Sequence, residues 1–134
     1  MRREDTDEEA GQDDPLTREI IGAAIEIHRH LGPGLLESAY CECLAYEFSK
    51  RELGFKRETA LPVRYKEVKL DCGYRLDFVV DGRVVIEVKS VESLGRIHQA
   101  QLLSNMKLGG YRHGLLINFN VTSLRKGVKR LIQD

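Results

Sequence analysis

Long hydrophobic runs are missing from this sequence of 134 residues. A helix that crosses a bilayer needs about 20 consecutive apolar residues, and no stretch approaches that length. The acidic N-terminus is also unlike a signal peptide, which begins with basic residues. We therefore expect a cytoplasmic protein with no membrane partner. With 42% hydrophobic and 31% charged residues, the composition is typical of a soluble globular protein.

Cysteine is scarce, and its spacing argues against two further classes of protein. Cys41, Cys43 and Cys72 are odd in number and contain no CxxC pair, so we expect neither a disulfide framework nor a zinc knuckle. On a helix, residues 41 and 43 point apart and make a poor ligand pair. The spacing favours buried thiols in a reducing compartment.

Net charge is also absent, because 21 basic and 21 acidic residues balance. Residues 1–14, however, contain seven acids and only two bases, which leaves a charge of +5 on residues 15–134. We expect residues 1–14 to be a disordered acidic tail and residues 15–134 to be a single domain. A basic domain suits nucleic acid as a partner. The tail either solubilises the domain or shields its basic face.

Hydrophobic periodicity predicts the order of helices and strands. Helical spacing predicts three helices, at about residues 15–31, 35–52 and 93–108. Runs rich in Val, Tyr and Phe predict short strands within residues 61–70, 73–80 and 83–90. The apolar run 113–119 predicts a strand buried on both faces, and residues 124–134 a short C-terminal helix. The order ααβββαβα indicates an α/β fold with an antiparallel meander and one crossover.

The stretch "DFVVDGRVVIEVK", residues 77–89, places three charges in two apolar strands. Glu87 and Lys89 are two residues apart and share a face, whereas the face of Asp77 depends on the turn. A two-residue loop of Asp81 and Gly82 turns Asp77 to the opposite face. A three-residue loop, residues 80–82, brings Asp77 to the face of Glu87. Both loops fit the sequence.

Asp77, Glu87 and Lys89 would form a metal site if they share a face. Two close carboxylates repel unless a cation intervenes, and hard oxygen ligands suit Mg²⁺ or Mn²⁺. The ammonium of Lys89 could neutralise charge on a phosphate. The alternative is an exposed trio of salt-bridged side chains on an edge hairpin, and these residues alone leave both interpretations open.

Asp77 followed by Glu87-Val88-Lys89 resembles the D…(D/E)xK signature of the PD-(D/E)xK nuclease superfamily. The stretch "GPGLLESAY", residues 32–40, is similar to the motif of its small GxxExxY branch, with Gly34, Glu37 and Tyr40. Four stretches resemble that branch in order and spacing: "IIGAAIEIHRHLGPGLLESAY", "GYRLDFVV", "HQAQLL" and "GLLINFNV". The resemblance as a whole covers roughly residues 16–132.

The resemblance implies a restriction-endonuclease-like core, in which a mixed four-stranded sheet lies between helices and a divalent metal binds at its opened edge. It implies Mg²⁺, with Mn²⁺ as the alternative. The implied metal ligands are Asp77, Glu87 and the backbone carbonyl of Val88. The implied catalytic residues are Lys89, Glu37 from a helix preceding the sheet, and Gln101, which orients the lysine or the phosphate.

Three polar side chains, His98, Gln101 and Asn105, form a stripe on the third helix. The stripe faces either the sheet edge or water. Relatives tend to have a tyrosine where this chain has Asn105, which predicts a change in substrate contact rather than in the metal site. Tyr40 either hydrogen-bonds the nearby carboxylate of Glu37 or packs in the core with its hydroxyl at the rim.

The implied function is a metal-dependent nuclease that hydrolyses phosphodiester bonds, of DNA in preference to RNA. One alternative is an inactive nucleic-acid-binding module on the same fold. Another is a protein-interaction module that makes its contact through the acidic tail. A single small active site cuts one strand, which allows a homodimer, although the sequence identifies no interface. No aromatic platform or helix-turn-helix selects the form of the substrate.

Overall fold

A computed structural model describes residues 2–5 and 14–133 of the chain. The described helices are α1 (Pro15–Leu31), α2 (Glu37–Lys50) and α3 (Arg96–Gly109). The described strands are β1 (Arg2–Asp5), β2 (Phe55–Ala60), β3 (Val63–Tyr65), β4 (Val68–Leu70), β5 (Arg75–Val80), β6 (Val84–Lys89), β7 (His113–Asn118) and β8 (Val128–Gln133). In this part of the chain, no helix is long and apolar enough to cross a bilayer.

Helix α1 begins and ends where its sequence predicts. The carboxylate of Asp14 accepts hydrogen bonds from the backbone N–H of Leu16 (3.1 Å) and from the hydroxyl of Thr17 (2.7 Å), and Pro15 occupies the first turn. These contacts satisfy donors that would otherwise lack partners at a helix start. The helix ends at Gly32, whose φ of 67° suits glycine.

Six strands form one mixed sheet in the order β1-β8-β7-β6-β5-β2. Strands β6 and β7 are parallel and are connected through α3, whereas the other neighbouring strands in this sheet are antiparallel. Strand β7 lies at the centre of the sheet and is buried from Gly114 to Asn118. Strands β3 and β4 pair only with each other, as a separate two-stranded sheet.

Helices cover both faces of the sheet. Helices α1 and α2 pack on one face, where residues such as Phe48 and Phe78 are fully buried. Helix α3 packs on the other face through Leu102 and Met106. This approach is close enough that a Cβ at Gly114 of β7 would lie 2.6 Å from the sulfur of Met106. The mixed α/β class with flanking helices, predicted from the sequence, is confirmed.

The predicted number of strands is wrong, because the sheet has six strands rather than four. Strand β2 was missed because Phe55 is its only large apolar residue and the next three residues, 56–58, are all charged. Its Arg57 is nevertheless held by an ion pair with Glu42 (2.9 Å) and lies over the ring of Phe78. The side chain is thus accommodated on a paired strand.

The predicted C-terminal helix is also wrong. Residues Leu124–Gly127 form a single 3₁₀ turn, and Val128–Gln133 form β8 beside β7. Pairing with β7 satisfies the backbone groups of both strands, which outweighs the helical spacing of the apolar residues. Glycine is required at the entry to β8, because a side chain at Gly127 would collide with the carbonyl oxygen of Asn118.

Disorder was predicted for residues 1–14. Residues 2–5 instead form β1, which pairs with β8 in a register that runs from Arg2–Gln133 to Asp5–Arg130. Asp14 is buried and begins α1. Residues 1 and 6–13 lie outside the described residues, and disorder stays a prediction there.

Candidate active site

The turn between β5 and β6 decides the face of Asp77. Val80 pairs with Val84, so the loop contains three residues, 81–83, of which Asp81 and Gly82 have φ of 54° and 64°. The register continues from the pair Phe78–Ile86 to place Asp77 opposite Glu87. The three-residue loop therefore forms, one residue later than predicted, and the two carboxylates share a face.

The two strands separate at this pair of acids. The backbone pairing of β5 with β6 ends at Phe78–Ile86, and the N–H of Val88 donates instead to the carboxylate of Asp77 (2.8 Å). Across the other edge of β5, Glu58 lies opposite Asp77 in the β2 register and has φ of 50°. A left-handed non-glycine residue is strained, so the sheet is irregular on both sides of Asp77.

Glu87 is held in an environment that disfavours its charge. Burial raises the pKa of Glu87 to about 8, and the charge and hydrogen bond of Asp77 add to this rise. The amide of Asn105, which donates to Glu87 Oε1 at 3.1 Å, and the ammonium of Lys89 oppose it. At neutral pH the protonated form of the Glu87 carboxyl is consequently favoured, unless a cation takes the place of the proton.

A cleft of about 630 Å³ lies at the separated strands. It is lined by every predicted catalytic and metal-binding residue: Glu37, Asp77, Glu87, Val88, Lys89 and Gln101. His98 and Asn105 line it as well, so the polar stripe of α3 faces the sheet edge and not water alone. Helix α3 and the first turn of α2 thus contribute side chains from opposite faces of the sheet.

Gly34 and Tyr40 do not line the cleft and instead shape the loop that precedes α2. The buried hydroxyl of Tyr40 donates to the carbonyl of Gly32 (2.7 Å) and accepts from the N–H of Leu35 (3.1 Å). Its ring stacks on Phe119 with centroids 4.3 Å apart. Gly34 has φ of 101°. Tyr40 is therefore a core tyrosine that holds this loop through hydrogen bonds of its hydroxyl to the loop backbone.

Two polar residues that were not predicted from the sequence, Ser90 and Asn118, hold the segment that follows β6 and its cleft residue Lys89. The hydroxyl of Ser90 donates to the carbonyl of Leu35 (2.6 Å), and the N–H of Ser90 lies 3.4 Å from the carboxylate of Glu37. Asn118 is buried and forms two hydrogen bonds with the backbone of Val91, of 2.9 and 3.0 Å. In the sequence, the signal for Asn118 was a side-chain amide directly after the apolar run of β7.

The residues of the α3 stripe have different contacts. The Nδ1 atom of His98 accepts the N–H of Gly95 (2.9 Å) at the start of the helix, which leaves its proton on Nε2. Gln101 is exposed along the cleft wall. Asn105 holds Glu87. Asn105 therefore contacts the carboxylate pair directly, contrary to the expectation that this position would bear on substrate contact rather than on the metal site.

The donor set at the opening suits a hard divalent cation. Among the described residues, no group of three or more His, Cys, Asp or Glu side chains could hold a metal ion. Two carboxylates are nevertheless enough for Mg²⁺, which usually keeps several waters. The carbonyl of Lys89 accepts the N–H of Phe119 on the β7 side. Because strand backbone groups alternate in direction, the carbonyl of Val88 faces the opening beside Asp77.

Comparison with known proteins gives one match. Neither a search of the curated proteins nor a search of the solved structures found a match to this chain. The sequence pattern of the PD-(D/E)XK nuclease superfamily matches residues 14–131. The match includes α1, the cleft and all of the residues that line it. The chain belongs to the PD-(D/E)XK nuclease superfamily.

Proposed function

We propose that this protein is a divalent-metal-dependent nuclease that hydrolyses phosphodiester bonds of DNA in preference to RNA. The observation that carries the proposal is the convergence of Asp77, Glu87 and Lys89 where β5 and β6 separate. Membership of a nuclease superfamily supports the reaction class. The charge of +5 on residues 15–134 supports a polyanionic substrate.

Asp77, Glu87 and the carbonyl of Val88 would hold Mg²⁺ or Mn²⁺. The raised pKa of Glu87 supports this assignment, because a buried acid pair is stabilised when a cation takes the place of its proton. A divalent cation at this position would supply Lewis-acid chemistry to phosphate-ester hydrolysis.

The remaining cleft residues would act on the substrate. Lys89 shares a face with Glu87, and its ammonium would neutralise charge that develops on the phosphate. Gln101 is exposed on the α3 wall, where its amide would orient Lys89 or a phosphate oxygen. Glu37 lies on the opposite wall at the first turn of α2 and would supply a further acid to the site.

We also assign the chain to the GxxExxY branch of the superfamily. The three motif residues act on one short segment, which supports this assignment. Gly34 adopts a conformation that favours glycine, Tyr40 ties the loop to the core, and Glu37 then begins α2 beside the cleft. The motif thus joins Tyr40, which anchors the loop, to Glu37, the acid that we propose for the site.

Cleavage of labelled DNA and RNA substrates in Mg²⁺, Mn²⁺ or EDTA tests the nuclease directly. We expect the wild type to cleave only with metal, and Asp77→Asn and Lys89→Ala to lose about 100-fold or more of the rate. Matched controls are Asp81→Asn, because asparagine tolerates the left-handed turn, and Lys129→Ala at an exposed position of β8. Both controls should retain the wild-type rate.

Two results would contradict the proposal. Cleavage that persists in EDTA or in Asp77→Asn would show that the activity does not arise from this cleft. A folded wild type that cleaves nothing and binds no Mn²⁺ in calorimetry would favour the inactive nucleic-acid-binding module. Thermal unfolding of each variant separates loss of chemistry from loss of the fold.

A further inference from the structure

An exposed arm projects beside the cleft. It comprises residues 63–75, which contain the β3–β4 hairpin and the segment that leads into β5. The base of the arm belongs to the cleft, because Val63, Tyr74 and Arg75 line it. The rest of the hairpin extends outward, and every residue from Arg64 to Leu70 is exposed. The exposed part of the arm is therefore continuous with the wall of the cleft.

The two faces of the hairpin differ in chemistry. Val63 pairs with Leu70 and Tyr65 pairs with Val68, and because paired residues share a face, these four side chains form one apolar face. Arg64 pairs with Lys69 and the two form a basic face. Val63 lines the cleft, so the apolar face continues the cleft wall.

Two tyrosines give the arm an aromatic surface. Tyr65 is 61% exposed and Tyr74 is 53% exposed, and Tyr74 lies at the mouth of the cleft itself. Both rings leave most of their surface in water. Aromatic rings beside a cleft provide stacking surfaces for nucleotide bases, since every base has an apolar face.

The charge of the arm favours a polyanionic ligand. Residues 63–75 contain four bases, Arg64, Lys66, Lys69 and Arg75, and two acids, Glu67 and Asp71. Asp71 is already engaged by Arg75, at 3.6 Å. Cations that flank exposed aromatic rings are the pattern of proteins that bind single-stranded nucleic acid.

We propose that the arm binds an unpaired nucleic-acid strand and directs it into the cleft. Bases stack on Tyr74 and on the face of Tyr65 opposite the ammonium of Lys66, which lies 5.3 Å from the ring centroid, while Arg64 and Lys69 contact phosphates. An unpaired strand is required, because the bases of a duplex are already stacked on one another and cannot cover a side chain in this way. The inference rests on the proposed nuclease for the identity of the polymer in the cleft.

Fluorescence anisotropy in EDTA measures binding without cleavage. The probes are a labelled 20-nucleotide single strand and the duplex of the same sequence. We expect Tyr65→Ala and Tyr74→Ala each to weaken single-strand binding about tenfold, with duplex binding changed less than twofold. Tyr65→Phe should retain wild-type affinity, because phenylalanine still stacks. The matched control is Tyr46→Ala, an equally exposed tyrosine (64%) in a groove between α1 and α2.

Unchanged single-strand affinity in the Tyr65→Ala, Tyr74→Ala double variant would overturn the proposal, and so would an equal loss for single strand and duplex. The first of these results would leave the arm as a surface for a protein partner.

Cleavage in Mg²⁺ separates this proposal from the nuclease. If the wild type fails to cleave but the arm variants lose single-strand affinity, the nuclease is wrong and the arm is supported. If the wild type cleaves single strands and the double variant cleaves them equally well at substrate concentrations below saturation, the arm is wrong and the nuclease stands.

Discussion

The two ends of the β5–β6 strand pair differ in structure and in role. At the turn end, Val79, Val80, Val84 and Val85 are buried and the backbone ladder is regular. At the other end the ladder stops, and the side chain of Asp77 takes the place of a backbone acceptor. The regular end supplies packing energy, whereas the separated end leaves carboxylates and a carbonyl available to a ligand. In this pair of strands, binding groups are thus available where the backbone pairing ends.

The largest effect on activity should come from a change at the separated end. Glu87→Gln keeps the shape of the side chain but removes a charge that a cation needs, and we expect the cleavage rate to fall by about 1,000-fold. Stability should not fall, because the variant removes an acid that is costly to ionise when buried. Cleavage kinetics together with urea unfolding measure both quantities. Wild-type activity in Glu87→Gln would show that cleavage does not require this carboxylate.

The neighbouring residue should show the opposite behaviour. Ile86 is fully buried and forms the last regular pair, with Phe78. Ile86→Ala should lower the free energy of unfolding by about 2–5 kcal/mol and leave the cleavage rate of the folded protein within a few-fold of wild type. Urea unfolding and cleavage well below the melting temperature test this contrast. Equal losses of rate in Ile86→Ala and Glu87→Gln would show that the two ends of the pair are not separable.

A smaller effect should follow from loosening the loop before α2. Tyr40→Phe removes the hydroxyl that bonds Gly32 and Leu35, leaving two buried backbone groups without that partner. We expect a loss of about 1–3 kcal/mol of stability, and a several-fold loss of activity because Glu37 is no longer held beside Ser90. Ser49→Ala, at an exposed position of α2, is the control. Activity loss without a change in stability would contradict this account of the motif.

A last effect, which concerns stability and not the cleavage rate, is a dependence on pH that belongs to Glu87. Its folded pKa of about 8 lies above its ordinary value of 4.5, so the folded state holds a proton that the unfolded state has lost between these two pH values. Stability should therefore fall as pH rises through this window, by at most about 1.4 kcal/mol per pH unit. Urea unfolding in EDTA at pH 5, 6 and 7.5 measures the slope. Glu87→Gln should abolish this contribution, and a slope that survives the substitution would refute the assignment.

The elements that were predicted well carry strong local signals. Asp14-Pro15 and Gly32 bound α1 because caps act on nearby backbone groups, and the buried strand β7 was evident from its unbroken apolar run. Strand β8 and the C-terminal turn were mistaken because "LRKGVKRLIQD" has apolar residues at helical spacing, and only the neighbouring edge of β7 makes a strand more favourable. The aromatic surface of Tyr65 and Tyr74 was not predicted, because the exposure of a residue depends on which other parts of the fold pack against it.

The sequence by itself determined the α/β class and its three main helices, because apolar periodicity is a property of short segments. The six predicted catalytic and metal-binding residues of the cleft came from the resemblance to a nuclease superfamily, whereas the spacing of the charges alone left a metal site and an exposed salt-bridged trio both open. Tertiary structure decided which face Asp77 takes, since a loop of two or three residues between 80 and 84 changes that face and both fit the sequence. It also decided that Asn105 holds Glu87, because a contact between residues 18 positions apart depends on how α3 packs across the sheet.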